Sequence, residues 1–359
     1  MKFRTKPTLE AIDALCQREC CFAICREAGA NADDFYMSNS GNHRYHHISE
    51  IAEKSGFIQS EYSLGNSSSF LFIPEERDEL PLADKFCPIH PRRFMKDLHP
   101  NLSRREHYSL NFHQYQELIR DTELKKLVLA RSEDIATQNF SAAQGYARAC
   151  ELYPNAFCAL VHQGREGTWI CSTPELLIKG LGESWTSMSL AGTQACGEDW
   201  SEKNKQEQEW VSEHIRETLN GLQVPFREDS TCTLNAGDIE HLCTIFHMRM
   251  SPEMLSQFID HFPPTPAVCG YPTDLARRYH RRYRDIHRSC YAGFLGPYNA
   301  AGPSAFYVTL RCMQVADDFC RLYAGGGILA ESDEESEWQE TCLKMQAMRT
   351  LIEEQQESR

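Results

Sequence analysis

From about Ser109 onward the chain shows a regular alternation of hydrophobic patterns. In YQELIRDTELKKLVLAR, helical spacing gives way to a continuous apolar run, which predicts a helix running into a strand. TWICSTPELLIKG and SWTSMSLAGT read as strands, and SEKNKQEQEWVSEHIRETLNGL as a helix of about six turns. SCYAGFLGPYN leads into a Gly/Pro turn. AFYVTLRCMQV and FCRLYAGGGIL then predict two strands joined at Asp317-Asp318, before a last helix from about Glu335 to Glu354. The first hundred residues are less regular. They predict a helical start from Thr8 to Gly29, a serine-rich turn at Asn66 to Ser69 and a short strand at Phe70 to Ile73. Proline and charge dominate from Pro74 to Pro100. Strands joined by hairpin-length turns predict an antiparallel α+β fold rather than a doubly wound sheet. The change of texture divides the chain into residues 1–105 and 106–359.

Composition narrows the function. The 37 basic residues against 51 acidic ones give a net charge of −14, which argues against binding nucleic acid phosphates. An anionic ligand would then need a local cluster of basic groups or a metal. There is no apolar run long enough to cross a membrane. The opening MKFRTKPTLEAIDALC lacks the apolar core of a signal peptide, so a cytoplasmic protein is expected. Its 16 cysteines are scattered, as in a reduced protein without a disulfide framework. Cys16, Cys20, Cys21 and Cys25 lack the paired knuckles of a zinc site and read as small apolar thiols on the first helix. His43, His46 and His47 read as a solvated loop.

Several residues are candidates for chemistry. AGGGILA at residues 324–330 has the spacing of a dinucleotide loop, but the ESDEESE that follows would repel a pyrophosphate. On the last helix, Trp338, Cys342, Met345 and Ile352 form an apolar stripe. Glu337, Glu340 and Lys344 fall within about 60° of one another on another face. That trio fits either a solvated ion-pair face or magnesium ligands beside an anion-binding lysine. Glu207 extends the apolar line of its helix, a costly position for a carboxylate unless it is paired, coordinating or exposed in the first turn. Lys126 opens an apolar strand, where it is either a strand-edge guard or a partly desolvated general base. Arg311, sharing a strand face with Tyr307 and Thr309, is a fork for a carboxylate or a solvated side chain.

Taken together, KLVLAR, STPELL, LAGT, SEKNKQEQE, EHLCT, PPTPAVCGYP, YAG, TLR and YAGGGIL…EWQETCLK resemble, in order, the chorismate-utilising enzymes, over roughly residues 110–352. The resemblance implies two large antiparallel sheets packed face to face with helices outside. Residues 106–359 would form the catalytic domain, and residues 1–105 would complete the fold. It implies Lys126 as the base that activates water and Glu175 as the general acid. Glu207 and Glu340 would hold Mg2+, with Glu337 nearby as a water-mediated or third ligand. Ala191, Gly192, Thr193, His241 and Tyr291 would line the ring, while Arg311, the Gly325 backbone and Lys344 would hold anionic groups.

Chorismate is a dianion, so a magnesium ion and Arg311 would supply the positive charge the chain lacks overall. Water attack at C2 with loss of the C4 hydroxyl needs a neutral lysine and a protonated glutamate together, hence opposite pKa shifts in one site. Within the resembled family, ammonia-using members carry glutamine at the Lys126 position, and others carry a nucleophilic lysine at the Ala191 position. Lys126 with Ala191 therefore implies water as nucleophile, which leaves isochorismate synthase or salicylate synthase; PTPAV resembles the former, an isomerase serving menaquinone or siderophore biosynthesis, while Tyr291 is shared with many of the latter. Salicylate synthase is the runner-up, and an anthranilate synthase-like component needing an amidotransferase a more distant one. No obligate protein partner is expected, and a monomer or weak dimer is. Two positions depart from the family pattern: Pro263 replaces a histidine, with His261 close by, and Asn204 stands where some members carry an acid.

Overall fold

The computed structural model describes residues 7–38, 43–65, 69–75, 83, 87–88, 102–236 and 239–357. The N-terminal part holds α1 (Leu9–Leu15), β1 (Cys21–Arg26), β2 (Asp34–Ser38), β3 (His43–Tyr45), β4 (Ser55–Ser60) and β5 (Phe70–Pro74). Then follow α2 (Arg104–Asp121), β6 (Lys126–Ala136), α3 (Ala142–Leu152), β7 (Phe157–Gln163), β8 (Thr168–Thr173), β9 (Leu176–Leu181) and β10 (Ser184–Ala195). The next stretch comprises α4 (Glu202–Gly221), β11 (Phe226–Glu228), β12 (Cys232–Ala236), β13 (Ile239–Arg249), α5 (Pro252–His261), β14 (Gly270–Tyr271) and α6 (Thr273–Arg282). Strands β15 (Phe294–Asn299), β16 (Ser304–Val308), β17 (Cys312–Val315) and β18 (Phe319–Ile328) lead to α7 (Glu334–Glu357). The serine-rich turn at Asn66 to Ser69 and the stretch from Pro74 to Pro100 lie for the most part outside the described residues.

Among the described residues the strands form two antiparallel sheets. The eight-stranded sheet runs β14-β6-β18-β17-β8-β7-β1-β2, and the ten-stranded one runs β11-β13-β10-β9-β16-β15-β4-β5-β3 with β12 added to β13. Their facing sides share one core. Phe157 and Trp169 come from one sheet and Phe57 and Phe306 from the other, and Phe157 stacks on Tyr307 across the interface at 4.1 Å. A second apolar cluster joins the outer side of the eight-stranded sheet to α1, α3 and α7. This is the expected α+β sandwich with helices outside. The N-terminal strands enter both sheets: β1 and β2 extend the first, and β3, β4 and β5 the second. Among the described residues no helix is long and apolar enough to cross a membrane.

Helix starts follow local chemistry. Ser103 accepts from the Glu106 N–H while the Glu106 carboxylate accepts from the Ser103 N–H, a reciprocal cap at the head of α2. Ser201 caps α4 in the simpler way, accepting from Asn204 N–H.

Two expectations need correction. The helix expected over Thr8 to Gly29 stops after α1, and the cysteine-rich stretch becomes β1, hydrogen-bonded between β2 and β7. Cys21, Ala23 and Cys25 face the sheet interface while Phe22 and Ile24 face the helices, so both faces are buried. Such a run carries no period-two signal, which is why it passes for helix. All four cysteines are buried thiols as expected, but Cys21 and Cys25 lie on β1, while Cys16 caps the end of α1 and Cys20 lies between the two elements. The second correction concerns AFYVTLRCMQV, which is two strands. β16 lies in the ten-stranded sheet and β17 in the eight-stranded one. The chain crosses between them at Thr309 to Arg311, and Arg311 takes a left-handed φ of 44°. Arg311 therefore does not share a strand face with Tyr307 and Thr309. An unbroken apolar run hides a change of sheet, since both flanks are buried.

Candidate active site

Lys126 is the first residue of β6, where the strand leaves a buried sheet position, and it is almost fully enclosed. Its Nζ donates to Glu207 Oε2 at 2.6 Å. Glu207 sits on the second turn of α4, which is fixed to β10 and β13 by Gln208 donating to Ser189 at 2.7 Å and Thr244 at 2.8 Å. The ion pair lies against β18, and the glycines of AGGGILA make room for it. A Cβ on Gly327 would stand 2.3 Å from Lys126 Cε and 3.0 Å from Glu207 Oε2. A Cβ on Gly326 would come to 3.2 Å from Glu337 Oε2, and one on Gly325 to 2.9 Å from the Tyr291 hydroxyl. The triplet is thus a flat strand against four polar side chains rather than a phosphate loop.

Helix α7 brings the opposite charges. Lys344 Nζ donates to Glu340 Oε1 at 2.5 Å and to the Gly325 carbonyl at 3.0 Å. Burial pushes the Glu340 carboxyl up, but the Lys344 ammonium outweighs it and the net value lies below the usual carboxylate range. One turn earlier, Glu337 accepts from Lys203 Nζ at 2.6 Å and from the Ser332 hydroxyl at 2.6 Å. Burial holds its carboxyl above the ordinary value despite Lys203.

The other walls carry Glu175, His241 and Arg311. Glu175 lies between β8 and β9, buried, and desolvation raises its pKa from 4.5 to about 8 against the weaker pull of Lys126 and Lys344. His241 on β13 donates from Nδ1 to the Gly192 carbonyl at 2.9 Å. Burial and then the Arg311 charge lower its pKa to about 4, so the ring is neutral at pH 7. Its Nε2 is buried without a partner and is an acceptor. Gly192 itself has φ +71°, and the Asn204 backbone and Cβ approach to 3.1 Å from where a Cβ would sit. The glycine therefore lets the start of α4 close against the LAGT strand. The Arg311 guanidinium has no hydrogen-bond partner among the described residues and borders the cavity. Tyr291 stacks on Tyr323 at 5.7 Å.

Lys126, Glu175, Ala191, Gly192, Thr193, Glu207, His241, Tyr291, Arg311, Gly325, Glu340 and Lys344 all line one cavity. Glu337 does not. It is buried behind β18 and reaches the group through Lys203, whose Nζ also stands 3.9 Å from Glu207 Oε1. Sequence reasoning missed Lys203, because a lysine in the first turn of a polar helix looks solvated. It also missed Ala267 and Val268, which come from the PPTPAV segment and form an apolar wall. His261, near the Pro263 departure, is exposed and bonds the Gln257 carbonyl, away from the cavity.

The donor set suits a hard cation such as magnesium: three carboxylates, one with a buried oxygen (Glu337 Oε2) that has no partner. The three are not already gathered, however. Among the described residues no group of three His, Cys, Asp or Glu side chains converges on one point. Instead each carboxylate is held by its own lysine.

The chorismate binding enzyme model matches residues 83–353, and the chain belongs to that family. Among individual proteins it is similar to isochorismate synthase MenF of Escherichia coli K12, with 30% identity over 276 residues. That match covers 71% of this chain and 63% of the relative, so the chain aligns with less than two thirds of that protein's length. Isochorismate synthase DhbC of Bacillus subtilis is 28% identical over 268 residues, covering 68% of this chain and 67% of the relative. The fold matches the solved structure of the menaquinone-specific isochorismate synthase MenF from Escherichia coli, with a TM-score of 0.77 and 22% identity. That superposition covers 98% of this chain and 93% of the other.

Proposed function

We propose that the protein is an isochorismate synthase, an isomerase converting chorismate to isochorismate by water attack at C2 and loss of the C4 hydroxyl. The observation that carries this reading is a buried glutamate with a pKa near 8 in the same cavity as Lys126. At neutral pH Glu175 keeps its proton and can deliver it to the departing C4 oxygen. Lys126, placed by β6 and oriented by Glu207, takes the proton from the attacking water as a neutral amine, after releasing its ammonium proton to Glu207 or solvent. Arg311 offers an uncommitted fork to a substrate carboxylate. Neutral His241 accepts from a ligand hydroxyl through Nε2. The apolar face of Ala191 leaves no amine to compete with water.

Glu207 and Glu340, with Glu337 behind them, would hold Mg2+, which supplies positive charge for the substrate's anionic groups when bound. The names of the relatives support water as the nucleophile over ammonia. A cytoplasmic enzyme without an obligate partner, acting as a monomer or weak dimer in menaquinone or siderophore biosynthesis, completes the reading.

Incubating purified protein with chorismate, with and without Mg2+, and resolving products by liquid chromatography tests it. Magnesium-dependent isochorismate alone is expected. Salicylate with pyruvate would replace the reading by salicylate synthase, and no turnover would overturn it.

A further inference from the structure

Three carboxylates and three lysines meet where α4 and α7 approach β18, and they are matched one to one. The lysines are not equivalent. Lys126 and Lys344 line the cavity, and Lys344 is also tied to the Gly325 carbonyl. Lys203 lies outside the cavity, and among the described residues its ammonium bonds only to Glu337, with Glu207 at 3.9 Å. The two ends of that pair also differ in freedom. The Glu337 side chain is 3% exposed and cannot leave, whereas that of Lys203 is 34% exposed and has open solvent to move into. A buried carboxylate without a counter-charge is costly, and Glu337 keeps one oxygen unpartnered even with Lys203 in place.

We propose that Lys203 is the resident cation of this site. It neutralises Glu337 and shields Glu207 while no metal is bound, and it withdraws toward solvent when a divalent cation enters. The inference rests on the reading of Glu207, Glu337 and Glu340 as a magnesium site. Lys203 is then a positioning residue that sets the affinity of the site for metal: it keeps the carboxylates from repelling one another, and it competes with the ion for them. A divalent cation makes the same neutralisation with greater charge, so the exchange is favourable yet costs affinity. That cost is the loss of a largely desolvated ion pair.

The test uses the full chain without chorismate, titrated with Mg2+ alone and followed by calorimetry and by thermal unfolding. Lys203→Met keeps the length of the side chain and removes its charge. It is expected to lower Tm in EDTA, to bind Mg2+ about 10-fold more tightly than wild type, and to gain more Tm from the metal. Lys203→Arg restores the cation and is expected to return both affinity and the metal-free Tm toward wild type. A merely structural lysine would lower Tm with and without metal and leave affinity unchanged or weaker; that result overturns the proposal while the magnesium site stands. No Mg2+ binding by wild type or either variant overturns the magnesium site and this inference with it. Binding by Lys203→Met alone supports the inference in its strongest form.

Discussion

The two sides of the cavity treat carboxyl groups in opposite ways. On one, Glu175 is buried with no ion-pair partner among the described residues, and desolvation lifts its pKa to about 8. On the other, Glu207 and the partly exposed Glu340, with Glu337 buried behind β18, each meet a lysine within about the length of a hydrogen bond. Pairing changes the outcome: burial lifts the Glu175 carboxyl, whereas the Lys344 ammonium holds that of Glu340 below the usual range. One protein thus holds an unpaired buried acid and a set of lysine-paired carboxylates within a few side chains of one another. Glu337 is the intermediate case, with one oxygen paired, the other not, and a pKa still above the usual value.

The sharpest way to break the contrast is Lys126→Ala, which removes the proposed base and leaves Glu207 without its partner. Turnover is expected to fall by about 10⁴ with substrate binding mostly kept, measured as kcat and KM for isochorismate formation; wild-type turnover would remove the lysine from the mechanism. Glu175→Gln should cost about 10³ in kcat. Wild-type activity should fall as pH rises through about 8, where Glu175 loses its proton, and the variant's residual rate should lack that limb. Gly327→Ala probes the contact surface under the ion pair. Its methyl would push on Lys126 Cε, and a displacement of this size should lower kcat by about 10², read beside a circular-dichroism spectrum that confirms folding. Glu340→Ala should raise the Mg2+ needed for half-maximal rate by roughly 10-fold, and an unchanged titration would refute it as a ligand.

The smallest effect concerns stability. A Glu175 pKa raised from 4.5 to about 8 means the folded state holds a proton the unfolded chain releases. Its stabilising contribution is full below about 4.5 and lost as pH rises through 8. Glu175→Gln should therefore gain stability relative to wild type across that window, by about 1.4 kcal/mol for each pH unit at most, as followed by urea unfolding at pH 5, 7 and 9.

Residues whose types are set by chemistry were legible in the sequence. Lys126 at the head of an apolar strand, Glu207 on an apolar helical line, and the Glu340 and Lys344 pair all lie at the cavity. What escaped was depth and connectivity. A helical projection places Glu337 beside Glu340, but does not say that the 60° between them carries Glu337 behind Gly326. Lys203 resembled a solvated first-turn lysine, since the partner that fixes it lies 134 positions away in the sequence. β1 looked helical because both of its faces are covered. These failures share one cause: burial on all sides removes the periodic signal that reveals an element's type and direction.

The crossing at Thr309 to Arg311 has a consequence for how the molecule wears out. This short link stitches one sheet to the other, and its last residue is the guanidinium that borders the cavity. Arg311 thus stands on the seam of the sandwich, facing groups drawn from both leaves, and any parting of the leaves would dismantle the site before either sheet unravelled. The protein would serve as its own strain gauge, with the proposed activity failing at denaturant levels that leave the sheets intact.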